Sequence, residues 1–357
     1  MGWARCIALA ALVQSGCWQW CDDNISGWMR LDSAISTGGH VLVSWSPSSD
    51  APSHAAALGA DGSWTTATPI DPLPYGAIVR GGDAGVAVVS NAGFRVTITD
   101  PLGDHARLVQ LTPPAGIGDD NFEFDAAWRG NELIVIGAQR EQISSPSAAL
   151  WIAAIGADGT VRAAPRVLAD TIVINQTGAI TVGATTWVVW TRLVPPGVDE
   201  TVGARIGDAA ALVDTRVLSS QLLRHLVSSG TRGLAVVDND SGGLDAIVLD
   251  ESGMIAQHAF AGRTDTLKPF EGQGYLGSDG WYDRDGNRVA DPPTLPLSVY
   301  PNDSAEVAGG VVIHTVHASD RSTLYTAPLP FAGAVGADEA RDDVAARTTT
   351  TRICAYH

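Results

Sequence analysis

Glu132-Leu133-Ile134-Val135-Ile136 is followed, after a loop, by a second apolar run and a tight turn. The second run is Ala149-Leu150-Trp151-Ile152-Ala153-Ala154-Ile155, the turn is Asp158-Gly159, and Thr160-Val161-Arg162 comes next. Asp-Gly is typical of a hairpin turn, because glycine adopts positive φ without steric cost. Short apolar runs joined by such a turn predict antiparallel strands.

The same unit recurs along the chain. One copy reads His40-Val41-Leu42-Val43-Ser44-Trp45 and reaches the turn Asp61-Gly62, and another contains Thr186-Trp187-Val188-Val189-Trp190. Seven turn landmarks have a mean spacing of about 45 residues, the size of a four-stranded propeller blade. The landmarks are Asp61, Leu102, Asp158, Asp208, Ser252, Asp285 and Gly333. The sequence therefore predicts an all-β fold, a single β-propeller of seven four-stranded blades, with six as the second choice because the unit around Asp285 is short.

Other architectures fit the pattern less well. Two β-sandwiches would also give many short strands, but they do not need a period near 45 residues. A parallel β-helix would have a shorter period. Sustained apolar residues at helical spacing are lacking, which disfavours a helical or α/β fold. In a propeller, large rings such as those of Trp45, Trp187 and Trp190 fill the wedges between blades.

The repeat resembles that of secreted, uncharacterised bacterial β-propeller proteins over about residues 25–345. The shared features are a strand ending in Val-Trp, a strand with Ala-x-Leu/Ile, and the Asp-Gly turn. That family supplies no catalytic residues to carry over. The sialidase Asp-box requires a residue between Asp and Gly, which Asp61-Gly62-Ser63-Trp64 lacks.

The charge balance limits the partners of the chain. Its 357 residues include 22 basic and 39 acidic side chains, and the formal net charge is −17. Lys268 is the only lysine. Phosphate binding needs Lys and Arg, so this balance argues against nucleic acid and against direct binding to an anionic membrane. We expect a monomer that binds an unidentified protein or glycan.

The N-terminus has the pattern of an export signal. Arg5 precedes the apolar run 6–13, which is far too short to span a membrane. Gln14-Ser15-Gly16-Cys17 resembles the lipobox of bacterial lipoproteins, in which the cysteine is lipidated. The resemblance implies lipidation at Cys17 and an outer-membrane or cell-surface lipoprotein, so that only a lipid anchor would contact the membrane. A periplasmic or secreted protein, or an ordinary N-terminal helix, is the alternative.

Export predicts four segments in the chain and a pairing of its cysteines. The segments are a signal peptide at 1–16, a tether at 17–27, the propeller at 28–345 and a C-terminal tail at 346–357. Cys6 would leave with the signal and Cys17 would carry lipid, so Cys21 and Cys354 remain for a disulfide that joins the two ends. A local pair of Cys17 and Cys21 is the alternative.

Long connections predict the binding face. With strands numbered from the axis outward, segments 46–53, 138–147 and 191–201 join second to third strands, and 112–121 joins a fourth strand to the next first strand. In an up-and-down blade these connections emerge at the same end, and long loops on a rigid scaffold commonly carry function. Candidate ligand-contacting residues are Asp50, Asp119, Asp120, Arg140, Glu141, Arg192, Asp199 and Glu200.

These features favour a non-enzymatic binding or scaffolding module of the cell envelope. A polysaccharide hydrolase or lyase that uses the loop carboxylates is the alternative, and a structural surface protein is the third. No catalytic residue, metal ligand or cofactor is assigned. Asp283, Asp285 and Asn287 surround Gly286 in a pattern that calcium loops share, but acidic hairpin turns share it too.

Labelled palmitate tests the anchor. We expect the lipid to appear on the wild-type protein expressed in a bacterium that processes lipoproteins, and to vanish in Cys17→Ser. Cys21→Ser serves as the matched control and keeps the label. An unlabelled wild type would contradict the assignment of Cys17.

Overall fold

The described part of the chain is almost entirely β-strand. The computed structural model describes residues 30–46, 53–59, Thr65, 68–70, 77–90, 93–115, 121–140, 148–171, 174–194, 197–263, 267–270, 274–277, 279–291, 305–308, 311–318, 321–328 and 353–356. Contacts between Cα atoms divide the chain into unit 1, Met1–Leu73 with Pro293–His357, and unit 2, Pro74–Pro292. Within the described ranges, no helix has the length and apolar character that crossing a membrane requires.

Sheet 1 belongs to unit 1 and has four antiparallel strands in chain order. They are β1 (Arg30–Thr37), β2 (His40–Ser46), β3 (Ser53–Gly59) and β4 (Thr68–Ile70).

Unit 2 holds five further four-stranded sheets, in which each strand pairs with its neighbour in sequence. Sheet 2 comprises β5 (Ile78–Gly82), β6 (Gly85–Ser90), β7 (Arg95–Thr99) and β8 (Arg107–Gln110). Sheet 3 comprises β9 (Asn121–Arg129), β10 (Glu132–Arg140), β11 (Ala148–Gly156) and β12 (Val161–Thr171). Sheet 4 comprises β13 (Ile174–Val182), β14 (Thr185–Val194), β15 (Val198–Ile206) and β16 (Leu212–Ser219), with the 3₁₀ helix Asp208–Ala210 before β16.

Sheets 5 and 6 complete unit 2. Sheet 5 comprises β17 (Leu223–Ser229), β18 (Arg232–Asp238), β19 (Leu244–Leu249) and β20 (Met254–Phe260). Sheet 6 comprises β21 (Lys268–Phe270), β22 (Gly274–Gly277), β23 (Gly280–Tyr282) and β24 (Arg288–Ala290).

Sheet 7 returns to unit 1. It comprises β25 (Ala305–Ala308), β26 (Val311–Ala318), β27 (Arg321–Pro328) and β28 (Ile353–Tyr356). Within unit 1, β1 lies against β25 and β26, so the first and last sheets of the chain pack together. The segment 346–357, expected as a tail, therefore contributes the fourth strand of a sheet, because Ile353–Tyr356 pairs with β27.

The predicted all-β class and the four-stranded unit are confirmed, and the number of full-sized blades agrees with the second choice of six rather than with seven. Six of the seven sheets contain at least one strand of six residues or more. Sheet 6 has strands of only three or four residues, as the short unit around Asp285 predicted. Six full-sized blades and one reduced sheet therefore account for the described strands.

The turn landmarks occupy one position in the repeat. In unit 2, Leu102, Asp158, Asp208, Ser252 and Asp285 all lie between the third and fourth strands of their sheets. Gly159 and Gly286 adopt φ of +80° and +82°, which glycine tolerates and L side chains rarely do. The Asp-Gly turns therefore mark the register of the repeat, as the sequence predicted.

Apolar side chains fill the spaces between consecutive sheets of unit 2. One buried cluster joins Phe94 and Val96 of sheet 2 to Trp151 of sheet 3, and the Phe94 and Trp151 rings stack at 4.5 Å. A second cluster packs Trp190 of sheet 4 against sheet 3, and a third packs Trp187 of sheet 4 against sheet 5. The predicted wedge-filling role of Trp187 and Trp190 is thus confirmed, whereas the side chain of Trp45 lies outside the description.

Hydrogen bonds fasten the turns between third and fourth strands of sheets 4 and 5 to the sheet that precedes each of them. Arg129 of sheet 3 donates to the carbonyl oxygens of Ile206 and Gly207 at 2.8 and 3.0 Å. Trp187 Nε1 of sheet 4 donates to the Asp250 carbonyl oxygen at 2.9 Å. Buried backbone carbonyls at these turns thereby gain partners, which avoids the cost of leaving them unpaired.

Truncation of Trp151 tests the packing between sheets 2 and 3. Trp151 is fully buried, so Trp151→Ala would remove its stacking on Phe94 and lower the free energy of unfolding by about 3–5 kcal/mol. Urea unfolding followed by circular dichroism measures the change. Val213→Ala, at an exposed site on β16, should change it by less than about 0.5 kcal/mol. Equal effects of the two substitutions would contradict this packing.

Candidate functional site

The first strands of the sheets in unit 2 lie next to one another. β5 contacts β9, β9 contacts β13, β13 contacts β17 and β17 contacts β21. The fourth strands β16 and β20 are mostly exposed instead. First strands therefore form the inner wall of unit 2, and fourth strands form its periphery.

Five titratable side chains lie between the start and the midpoint of these first strands. They are Arg80 on β5, Glu123 and Asp125 on β9, His225 on β17 and Lys268 on β21, which we call the first-strand cluster. Each first strand begins at the end of its sheet where second strands lead into third strands, because neighbouring strands are antiparallel. We call this the loop end. The cluster thus lies in the half of the first strands that is nearer the loop end.

Asp125 is the most heavily bonded member of the cluster. Its Oδ1 forms an ion pair with Arg80 of sheet 2 and accepts a hydrogen bond from the Ala126 amide at 2.7 Å. Its Oδ2 accepts from the Ala179 amide of sheet 4 at 3.0 Å. Arg80 Nε also donates to the Ala126 carbonyl oxygen at 3.0 Å. One carboxylate therefore connects the first strands of three sheets.

Glu123 lies two residues earlier on the same side of β9. Its Oε2 accepts a hydrogen bond from the Thr177 amide of β13 at 2.8 Å. Burial raises the pKa of this carboxyl to about 7, the negative charge of Asp125 adds to the rise, and the Thr177 hydrogen bond opposes it. Glu123 consequently exchanges a proton near neutral pH, which an ordinary glutamate does not.

His225 is the histidine of the cluster. Its Nε2 donates to the Leu267 carbonyl oxygen at 3.1 Å, which ties β17 to the residue before β21. Burial lowers the pKa of the imidazole; the Leu267 hydrogen bond and Asp125 oppose that effect, whereas the charges of Lys268 and Arg80 reinforce it. His225 is therefore mainly neutral at pH 7, and its pKa records the proximity of three other cluster members.

The local sequence explains why two carboxyl groups share one side of β9. In Asn121-Phe122-Glu123-Phe124-Asp125, polar and aromatic residues alternate, and alternate residues of a strand face the same side. Phe124 and Ala126 pack toward sheet 2, whereas Asp125 bonds to the backbone of β13. Sequence reasoning missed this cluster because it searched loops, although the alternation was visible.

The structure contradicts the long loop that was predicted around Arg192, Asp199 and Glu200. The segment 191–201 was expected to be a long loop, but β14 extends to Val194 and β15 starts at Val198. Arg192 pairs across the hairpin with Glu200, at 3.1 Å from Nε and 2.8 Å from Nη2 to the same carboxylate oxygen. The Gly197 amide donates to the Val194 carbonyl oxygen at 2.8 Å, and Val194 pairs with Val198, so the hairpin continues where a long loop was predicted and the prediction of a loop was wrong.

Asp199 belongs to a second group of charges at the loop end. Arg224 at the start of β17 binds Asp238 at the end of β18, with Nε and Nη2 at 2.8 and 2.7 Å from the two carboxylate oxygens. This bidentate hydrogen bond raises the pKa of Arg224, burial opposes the rise, and the charge of Asp199 from sheet 4 adds to it. Arg192, Asp199 and Glu200 therefore lie at the predicted end, on strands rather than in a loop.

Other predicted positions fall outside the described residues or side chains. Arg140 ends β10, but its side chain is not described. The remaining positions of this kind are Asp50, Asp119, Asp120 and Glu141, the segments 1–16 and 17–27 with Cys17 and Cys21, and the side chain of Cys354.

The acidic turn at Asp283 is built from internal hydrogen bonds. Asp283 Oδ1 accepts from the amides of Asp285 and Asn287 at 3.0 and 2.8 Å, and Asn287 Nδ2 donates to Asp283 Oδ2 at 3.1 Å. Asp285 Oδ1 lies 3.4 Å from Arg232 Nε of sheet 5. The described residues contain no group of three or more His, Cys, Asp or Glu side chains placed to hold a metal ion.

Comparison with known proteins identifies the class of fold. A prolyl endopeptidase structure matches with a TM-score of 0.52 and 14% identity, covering 85% of this chain and 47% of that one. A puromycin hydrolase structure matches with a TM-score of 0.49 and 16% identity, covering 88% and 55%. An oligogalacturonate lyase in complex with manganese matches with a TM-score of 0.49 and 12% identity, covering 82% and 86%.

The first of these matches, at 14% identity, supports a β-propeller fold and nothing beyond the fold, and the sheets of this chain supply the four-stranded blades. The chain spans about half the length of the first two structures. No protein-family model and no curated protein sequence matches the chain.

Burial of Glu123 predicts that its carboxyl group keeps a proton up to a pH of about 7. A folded-state pKa of about 7, above the ordinary value of 4.5, means that stability is lost as the pH rises through 7. Glu123→Gln is the reference, because its side-chain oxygen can still accept the hydrogen bond from the Thr177 amide. The urea midpoint of the wild type minus that of this variant should therefore be lower at pH 8 than at pH 5. A wild-type-minus-variant difference that is equal at both pH values would contradict the assigned pKa.

Proposed function

We propose that this protein is a non-enzymatic binding module of the cell envelope that holds a glycan or a protein at the loop end of unit 2. The observation that carries the proposal is the convergence of charged side chains from sheets 2, 3, 5 and 6 at that end. Backbone amides of sheet 4 hold two of these side chains in place. Groups fixed on strands in this way lose little freedom on binding, which favours recognition.

The Arg224–Asp238 and Arg192–Glu200 pairs extend the proposed surface outward from the first-strand cluster. Both pairs lie at the loop end, and the charge of Asp199 reaches Arg224 from the neighbouring sheet. The surface therefore offers alternating donors and acceptors rather than one sign of charge. Such a surface suits a polar ligand, whereas the described tryptophans are buried in the core and are not available for stacking on sugars.

Export and anchoring are part of the proposal. The apolar run 6–13 and Cys17 support export with a lipid anchor, and Cys21 with Cys354 supports a disulfide between the chain ends. We propose a monomer in this setting, as an outer-membrane or cell-surface lipoprotein. The net charge of −17 weighs against a nucleic-acid partner.

A polysaccharide hydrolase or lyase is the second candidate. Glu123 is the observation that favours it, because a carboxyl whose pKa is near 7 can serve as a general acid at neutral pH. Asp125 lies two residues away on the same strand, but its bonds to Arg80, Ala126 and Ala179 make it a structural connection. If the protein is such an enzyme, its turnover of polysaccharide depends on Glu123.

Glycan and envelope-protein arrays probed with the full-length protein, together with polysaccharide turnover assays, test the two candidates. For a binding module we expect an array ligand, no turnover, and at least about tenfold weaker binding in Arg224→Gln, equivalent to about 1.4 kcal/mol. Arg162→Gln is the matched control, because Arg162 is an exposed, ion-paired arginine at the opposite end of sheet 3.

Each other outcome contradicts a binding module at the loop end. Turnover that disappears in Glu123→Gln would establish the enzyme instead. A ligand whose affinity is unchanged in Arg224→Gln but reduced in Arg162→Gln would place binding at the opposite end. Absence of both binding and turnover would contradict both candidates.

A further inference from the structure

We infer that the joint between the first strands of sheets 3 and 4 is a proton-controlled switch. Neutral Glu123 keeps β9 against β13, and ionised Glu123 lets the two strands separate at the loop end. Asp125 is the pivot of this movement, because its contacts persist in both forms. The inference concerns the scaffold beneath the proposed binding surface, and it holds whether or not that surface binds a ligand.

Two carboxyl groups of β9 reach alternate backbone amides of β13. Glu123 Oε2 accepts a hydrogen bond from the Thr177 amide at 2.8 Å, and Asp125 Oδ2 accepts one from the Ala179 amide at 3.0 Å. Nearer the opposite end of the sheets, Thr181 Oγ1 donates to a carbonyl oxygen of β9. The two strands are thus joined at separate points, and the point nearest the loop end depends on Glu123.

Glu123 differs from Asp125 in lacking a countercharge. Arg80 on β5 forms an ion pair with Asp125, and two backbone amides also bind that carboxylate. Among the described side chains none forms an ion pair with Glu123, and the Thr177 amide is its one hydrogen-bond partner. An uncompensated charge in a partly buried position is costly, so the closed joint favours the neutral carboxyl group.

The other strands packed against β9 do not change this balance. β10 places Ala138 opposite Glu123, and β13 has no titratable residue. β14 brings Arg192, but the guanidinium group of that residue is bound to Glu200. Of the described charges, the one that acts on Glu123 is therefore the negative charge of Asp125 on the same strand, which disfavours a second carboxylate beside it.

Apolar packing confines the separation of the strands to the loop end. Ala127 is the next residue on this side of β9, and it belongs to a buried apolar cluster together with Ala179. Asp125 lies between this cluster and Glu123, and its charge is already compensated by Arg80. Its hydrogen bond to β13 therefore remains when Glu123 ionises, and only the segment beyond Asp125 is released.

Proton binding links the pH to the opening of the joint. In the closed form, burial raises the pKa of Glu123 to about 7, the Thr177 hydrogen bond opposes the rise, and the charge of Asp125 adds to it. In the open form the carboxyl group reaches water, where its ordinary pKa is 4.5. The closed form holds the proton more tightly, so it loses stability relative to the open form as the pH rises from 4.5 through 7.

Hydrogen exchange of the Thr177 and Ala179 amides, measured by NMR on the full-length protein, tests the inference. Each rate is compared with that of an unfolded peptide at the same pH, because exchange is itself catalysed by base. We expect the protection of Thr177 to fall at least about tenfold between pH 5 and 8, and that of Ala179 to change less than about twofold. Ala179 is the internal control, because its acceptor is a compensated carboxylate of the same strand.

Two variants assign the pH dependence to one carboxyl group. Glu123→Gln keeps an oxygen that can accept from the Thr177 amide but cannot ionise, so the fall in protection should disappear. Glu132→Gln is the matched control, because Glu132 lies at the end of sheet 3 opposite to the loop end and is paired with Arg129. It should retain the wild-type fall at Thr177. Urea unfolding at both pH values checks that each variant remains folded.

Three results would overturn the inference. The protection of Thr177 could be equal at pH 5 and 8, or it could fall equally at Ala179, which would mean that the strands separate along their whole length. A fall that persists in Glu123→Gln would show that another group causes it. All three results would leave the proposed binding function standing, because none of them involves a ligand.

Discussion

Burial of apolar side chains between consecutive sheets is the constraint on which the rest of unit 2 depends. Each buried cluster draws on two adjacent sheets, as when Trp151 of sheet 3 meets Phe94 of sheet 2. A single four-stranded sheet has two apolar faces and cannot shield either of them alone. Sheets that pack through both faces must place their first strands side by side, and this juxtaposition creates the first-strand cluster.

The hydrogen bonds of the inner wall depend on the same packing of consecutive sheets. Glu123 and Asp125 reach backbone amides on β13, more than fifty residues away in sequence, because the apolar wedge holds β9 and β13 together. Burial that results from this packing raises the pKa of Glu123. The stability of the sheets and the chemistry of the cluster therefore have one physical origin.

Much of the fold could be predicted from the sequence because its signals are local. The glycine of an Asp-Gly turn adopts positive φ, as Gly159 does. Alternating apolar residues indicate a strand whichever strands pair with it. The hairpin that joins β14 to β15 was predicted wrongly, since its extension depends on the Arg192–Glu200 pair across two strands. The first-strand cluster was not predicted from the sequence. Its residues lie on strands, and their properties depend on neighbours that sequence order does not reveal.

Native-state hydrogen exchange measures the central claim most directly. If packing between sheets stabilises unit 2 as a whole, amides in the buried second strands β10, β14 and β18 should exchange with one common free energy of opening. Independent opening of one of these sheets, at a free energy well below that of its neighbours, would contradict the account.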